Sequence, residues 1–335
     1  MQPIRVAIVG FGGIARSHYN AYHRLMTEGY PVRVVAVCDR NTDQIFQKVT
    51  TNLRHENTPL DPDTHLYPSI DALLEKEVFD MADVCLPTLL HKDAVVQLLR
   101  GGKHVLCEKP MALTAEDGAA MVDAAHEADR LLMVAHLTRF EPHNLHLRDA
   151  VADGRYGRLL HLSMERLSEY PAWSPIFRTL DANGGCILDM QIHDVDVANM
   201  ILGAPRAVST LRCDDLPYHQ LVSTRLFYEG TTVTIEEAWD NTRTLPFFQG
   251  FCARFERASL RSDGKTLTLF PHEGEPSVIE TEEVTGFYEE IRALCEAIRG
   301  NTDGGYLPPE QALLDMRIVE ATAESAAKNG ATVTL

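Results

Sequence analysis

The sequence predicts two domains: an α/β domain with a doubly wound parallel sheet over residues 1–136, then an α+β domain over 137–335 on a large, mostly antiparallel open sheet. Three observations predict it. Up to His136, short apolar strands alternate with helix-compatible segments, which parallel strands with crossover helices satisfy economically. The first strand runs straight into a glycine-rich turn. Beyond His136 most strand-like segments follow one another directly, which favours antiparallel pairing. A chain of 335 residues suits two domains of ordinary size.

Ile4–Val9 is apolar apart from Arg5 and leads into Gly10-Phe11-Gly12-Gly13-Ile14-Ala15, spaced G-x-G-x-x-A, then a helix-compatible stretch to Met26. A second strand, Val32–Cys38, ends in Asp39. This arrangement fits a dinucleotide. Glycines let the backbone approach a pyrophosphate, a helix start supplies amide donors, and the acid accepts from the adenosine ribose. A carboxylate at Asp39 suits a 2′-hydroxyl and repels a 2′-phosphate, whereas Arg40 could pair with that phosphate or lie over the adenine. NAD is favoured and NADP stays open.

The remaining elements of this domain read in turn as a helix over Asn41–Asn52, a loop over 53–64 and a capped helix over Ser69–Glu75. Strands follow at Met81–Leu86, His104–Cys107 and Leu131–Ala135, separated by helices over Leu89–Arg100 and Thr114–Ala128. Ligands gather at the carboxyl ends of such strands. Gly10, Phe11, Gly12, Gly13, Ile14, Asp39 and Arg40 fall there, as do Leu86, Pro87, Thr88 and His91 and the turn Glu108-Lys109-Pro110. These are the expected cofactor residues.

In the second domain a helix over Pro142–Ala152 precedes strands at Leu159–Leu167, Ala207–Cys213, Leu221–Tyr228, Thr231–Ala238, Phe251–Arg257 and Lys265–Phe270. Tyr228-Glu229-Gly230-Thr231 reads as a tight hairpin. Helices over Phe287–Arg299 and Pro309–Lys328 carry no chemical pattern and read as scaffold. The partly apolar outer face of this sheet predicts a homodimer or homotetramer, unless the chain's own helices cover it.

A net charge of −17 argues against nucleic acid and acidic membrane surfaces as partners. The seven cysteines are scattered without paired spacing, which suits a reducing compartment and argues against a structural zinc site. The start lacks a signal-peptide pattern and no apolar run is long enough to span a bilayer, so the cytoplasm is expected. No metal is expected either: His143 and His146, with Glu141 nearby, read as a solvated face.

Two stretches carry chemistry. Lys109 lies next to a proline at the rim of the sheet, where its charge could stabilise a developing alkoxide or merely be solvated. Gly184-Gly185 opens an apolar run to Leu202-Gly203, within which Asp189 and His193 are four apart and share a helix face. A carboxylate beside an imidazole suits acid–base work, although this pair alone reads as well as a capped helix with a surface histidine. Just upstream, Tyr170, Trp173, Phe177 and Arg178 could line a pocket for a polyhydroxylated ring or simply pack.

The chain resembles the Gfo/Idh/MocA oxidoreductases, named for glucose–fructose oxidoreductase and inositol dehydrogenase. The resemblance rests on the G-x-G-x-x-A turn, Pro87…His91, Glu108-Lys109-Pro110, Arg139-Phe140, Phe177-Arg178, the Gly184…Asp196 block and the C-terminal helix. It implies a Rossmann domain, an oligomer, and a catalytic group of Lys109, Asp189 and His193. His193 would be the general base, Lys109 would polarise the same oxygen, and Asp189 would orient substrate or tune the imidazole. Substrate would also meet Arg139, Tyr170, Trp173 and Arg178. The implied activity is hydride transfer between NAD(P) and a secondary alcohol or ketone of a sugar, inositol or related compound. Met190-Gln191 depart from the small residues common after that aspartate. Two rivals are a non-catalytic dinucleotide sensor and a redox-neutral, glycosidase-like use of NAD. Members of both kinds usually lose one of these groups, and this chain keeps Lys109 and His193.

Overall fold

A computed structural model describes residues 2–46, 58–171, 184–213, 220–242, 244–282, 285–302 and 305–335. Two compact units divide the chain. The first comprises residues 1–137 and 285–313, the second 138–284 and 314–335. The first unit thus takes in a C-terminal segment that a single sequence boundary at 136/137 leaves with the second domain.

The first unit holds a six-stranded, all-parallel sheet in the order β3-β2-β1-β4-β5-β6. Its strands are β1 Ile4–Val9, β2 Val32–Cys38, β3 His65–Tyr67, β4 Met81–Val84, β5 His104–Glu108 and β6 Leu132–Ala135. Strands β4 and β6 are buried at every position, as expected for a parallel sheet covered on both faces. The crossover helices are α1 Gly13–Thr27, α2 Ile70–Lys76, α3 His91–Arg100 and α4 Ala115–Ala128. Ser69 caps α2 by accepting from the Ala72 N–H, and Thr114 caps α4 by accepting from the Asp117 N–H. Strand β3 escapes a reading by periodicity because it is three residues long and none of them is fully buried. Of the helix read over Asn41–Asn52, the structure forms a 3-10 turn over Thr42–Phe46, and 47–57 lie outside the described residues.

The second unit is built on a nine-stranded sheet, order β14-β13-β12-β11-β7-β10-β9-β8-β15. Strand β7 is Leu159–Ser168, β8 Ala207–Cys213, β9 Leu221–Phe227, β10 Thr232–Trp239 and β11 Phe248–Phe255. Beyond these lie β12 Ala258–Ser262, β13 Leu267–Pro271, β14 Ser277–Ile279 and β15 Val333–Thr334. All neighbours pair antiparallel except β7 with β10. The hairpin after β9 forms as read. Helices α5 Pro142–Asp153, α6 Gly185–Asp189 and α7 Gln191–Leu202 belong to this unit, whereas α8 Gly286–Ile298 belongs to the first. A final helix, α9, spans Pro309–Ala327.

The run from Gly184 to Leu202 is not one helix. It breaks at Met190, where the His193 N–H donates to the Met190 carbonyl, three residues back instead of four. Gly184 caps α6 at φ +72°, and a Cβ there would lie 2.4 Å from Leu188 Cδ2. Only glycine fits that turn.

Candidate active site

The glycine turn closes β1. The Gly10 N–H donates to the Cys38 carbonyl and Gly10 adopts φ +85°, where a Cβ would lie 2.9 Å from the Cys85 carbonyl oxygen. Any side chain at Gly10 would push β4 away from β1. Helix α1 starts at Gly13 with Gly12 at its N-cap and no side chain capping it, so its first amides remain available to an anion. Gly12 is exposed, Gly13 and Ile14 are half-buried, and the Phe11 ring packs into the core. Asp39 lies beside the turn. Its Oδ2 accepts from the Phe11 N–H and its Oδ1 from the Asn41 N–H, both at 2.9 Å. A carboxylate offers roughly four acceptor positions, so about two remain for ribose hydroxyls. The donor set therefore fits a dinucleotide. Arg40 is exposed next to it.

At the carboxyl end of β4, Leu86 is half-buried and Pro87 exposed, and Thr88 opens a 3-10 turn. His91, expected beside the cofactor, is 1% exposed. Its Nδ1 lies 2.9 Å from the Pro110 carbonyl and its Nε2 2.7 Å from the Leu86 carbonyl. Burial drives its pKa down against the pull of those carbonyls.

At the end of β5, Glu108 is buried and Lys109 half-buried, and the Lys109–Pro110 peptide is cis. Behind them lies a cluster that motif reading missed. His18 on α1 is fully buried, with Nδ1 2.9 Å from Asp83 Oδ2 and Nε2 2.9 Å from Glu108 Oε1. Glu290 on α8 approaches the same imidazole at 3.8 Å. Burial opposes charge on His18, yet Asp83 holds its pKa well above the usual histidine value. Glu108 is likewise penalised by burial, but His18 draws its pKa below the carboxylate range. Glu290 is pushed well above the carboxylate range by burial, against the pull of His18. Donor atoms of His18, Asp83 and Cys85 lie within 4.8 Å of one another, a grouping that could hold a metal. The hydrogen bonds that Asp83 makes with His18 and with the Cys85 thiol already account for that closeness.

In the second unit, Asp189 ends α6 and His193 lies in the first turn of α7; both are half-buried. The helix that carries His193 is anchored through two other acids. Asp194 receives Arg166 of β7 in a two-pronged pair, Nε and Nη2 each at 3.0 Å. The Arg166 Nη1 donates to Gln249 Oε1, and Gln249 Nε2 donates to Glu141. Glu237 on β10 is fully buried, and burial followed by Asp194 pushes its pKa well above the carboxylate range. Asp196 is paired the same way with Arg139, while Asp315 accepts from Asn199 Nδ2 at 2.9 Å. Burial, then Asp196, raises the Asp315 pKa. The Arg139 guanidinium, expected at substrate, is thus engaged by Asp196. Tyr170 stacks edge-on with Trp239. Trp173, Phe177 and Arg178 lie outside the described residues.

A parallel sheet in this order, with a glycine turn and an acid after its second strand, defines a dinucleotide-binding Rossmann domain. The comparisons narrow this. Residues 4–136 match the model described as oxidoreductase family, NAD-binding Rossmann fold, and residues 144–247 match the GFO/IDH/MocA C-terminal domain. The chain belongs to the Gfo/Idh/MocA oxidoreductase family. It is 29% identical over 209 residues to D-glucoside 3-dehydrogenase of Escherichia coli, covering 62% of this chain and 56% of that protein. It is 34% identical over 135 residues to inositol 2-dehydrogenase of Rhizobium meliloti, covering 40% of each. The chain thus spans about half or less of these relatives' length. The crystal structure of aldose-aldose oxidoreductase from Caulobacter crescentus complexed with glycerol superposes with a TM-score of 0.82, at 22% identity and full coverage of both chains. That likeness concerns the fold. Among the described residues no helix is long and apolar enough to cross a membrane.

Proposed function

We propose that the protein is an NAD-dependent dehydrogenase acting on a secondary alcohol, or the matching ketone, of a sugar, inositol or related polyhydroxylated compound. The observation that carries this reading is Lys109 at the carboxyl end of β5, on the sheet whose glycine turn and Asp39 fit a dinucleotide. We read Asp189 and His193, on the Gly184…Asp196 block that resembles the family's, as its companion groups.

In this reading Gly10, Gly12, Gly13 and the start of α1 hold the pyrophosphate, and Asp39 takes the ribose hydroxyls. Leu86, Pro87 and Thr88 border the nicotinamide end. A bound nicotinamide would supply the acceptor for the hydride of the carbinol carbon. Lys109 donates a hydrogen bond to the substrate hydroxyl and favours its alkoxide character, and His193 takes the hydroxyl proton. Asp189 orients the substrate or the imidazole, with Tyr170, Trp173 and Arg178 lining the pocket. Through the outer face of its second sheet the chain forms a homodimer or homotetramer, which light scattering checks.

The test follows NADH absorbance with a methyl glucoside, myo-inositol and D-glucose as probes. Lys109→Ala and His193→Ala should each lower kcat by about 10²–10⁴-fold with NADH binding retained. Wild-type turnover in both variants would sink the assignment.

A further inference from the structure

Lys109 stands between two residues, and a buried histidine holds each of them. On its N-terminal side, His18 Nε2 lies 2.9 Å from Glu108 Oε1, and Glu108 Oε2 accepts the Lys109 backbone N–H at 3.0 Å. On its C-terminal side, His91 Nδ1 lies 2.9 Å from the Pro110 carbonyl. Each imidazole is fixed at its other nitrogen too, His18 by Asp83 on β4 and His91 by the Leu86 carbonyl just after β4. Both clamps therefore refer the Lys109 turn back to the same neighbouring strand.

We propose that His18 and His91 are positioning residues that clamp the backbone on either side of Lys109 and fix where its ammonium meets substrate. The proposal rests on the reading of Lys109 given above. The two histidines are 0% and 1% exposed, so neither meets a ligand and both act through the turn. Between two carboxylates the His18 ring donates from both nitrogens as an imidazolium. Burial favours the neutral His91 ring, which donates to one of the two carbonyls and only packs against the other; the protonated ring donates to both. A lysine side chain has four rotatable carbons, so its backbone must be held if its ammonium is to be placed to within an ångström. Misplacement of about 1 Å can cost roughly 10²-fold in rate. Salt-bridged anchoring of Glu108 also explains why an acid precedes Lys109 at a position buried from solvent.

The experiment is a double-mutant cycle on the full chain, read with whichever of the three probes is turned over fastest. His18→Gln and His91→Asn, each alone, should lower kcat by about tenfold or more, with KM and the NADH dissociation constant changing less than about threefold. In the Lys109→Ala background the same substitutions should change the residual rate by less than about threefold, because the group they position is gone. A merely structural role would lower both backgrounds equally. That additivity, or undiminished kcat in both single variants, overturns the clamp. Wild-type turnover in Lys109→Ala alone overturns the reading of Lys109 instead, so the two failures are distinct. Should His18→Gln not fold, Glu108→Gln keeps the shape and weakens the same link. It must then show the same non-additivity with Lys109→Ala, and additive losses there would equally overturn the proposal.

Discussion

Both units bury carboxyl groups next to a candidate reacting side chain, and they neutralise them with different cations. In the first unit His18 serves Asp83 and Glu108 beside Lys109, and burial pushes the pKa of nearby Glu290 up. In the second, Arg166 serves Asp194 and Arg139 serves Asp196 along the helix of His193, and burial pushes the pKa values of Glu237 and Asp315 up. The bookkeeping of charge is similar, yet its durability differs. A guanidinium stays charged at every working pH, whereas an imidazolium can be titrated away. The cations of the second cluster are therefore fixed, whereas the cation of the first can itself titrate.

The comparison breaks most visibly at Arg166. Arg166→Leu leaves Asp194 buried without its cation, and removing one partner of such a pair costs about 3–5 kcal/mol. Urea unfolding at pH 7 should show that loss, and an unchanged midpoint would mean the pair contributes nothing net. The next effect separates the clusters by pH. The folded pKa of His18 is raised above 6.5, so its contribution is complete below that pH and is lost as pH rises through the raised value. His18→Gln should therefore cost most under mildly acidic conditions and less in alkali. Glu237 slopes in the same direction for another reason. A carboxyl raised above 4.5 binds its proton in the folded state only, so ionising it above that pH drains stability. Glu237→Gln keeps the side chain's shape and removes that drain. Its thermal midpoint should match or exceed wild type at pH 8, and a lower one would mean Glu237 is needed as an anion. The smallest effect belongs to exposed pairs: Arg206→Ala removes a partner of Glu229 on the surface and should leave the melting temperature unchanged.

What the sequence reveals divides along the same line. The glycine turn, Asp39 and the Lys109 turn are local patterns at strand ends, and their spacing is readable without knowing any partner. The clusters depend on pairings 65 and 90 residues apart for His18, and no spacing rule reaches that far. A subtler signal was present. His18 lies on the apolar face of α1 with Tyr19, Tyr22 and Leu25. Arg166 and Glu237 fall on the inward positions of β7 and β10, in phase with Leu162, Met164, Val233 and Ile235. A charged residue in phase with the core must find a buried partner, so the phase marks it even though the partner stays hidden. The break at Met190 was invisible for the opposite reason, since a helix joint costs one hydrogen-bond register and leaves the apolar pattern intact.

The return of residues 285–313 to the first unit also sets an order of events on the ribosome. When the parallel sheet has been translated, α8 does not yet exist, so the Phe287 ring that packs on His18 and the Glu290 carboxyl beside it are missing. Roughly 150 further residues must be added first, on the order of ten to thirty seconds at about 5–20 residues per second. Until then the nascent Rossmann domain lacks one wall around His18. A fragment cut after residue 137 would keep that opening permanently.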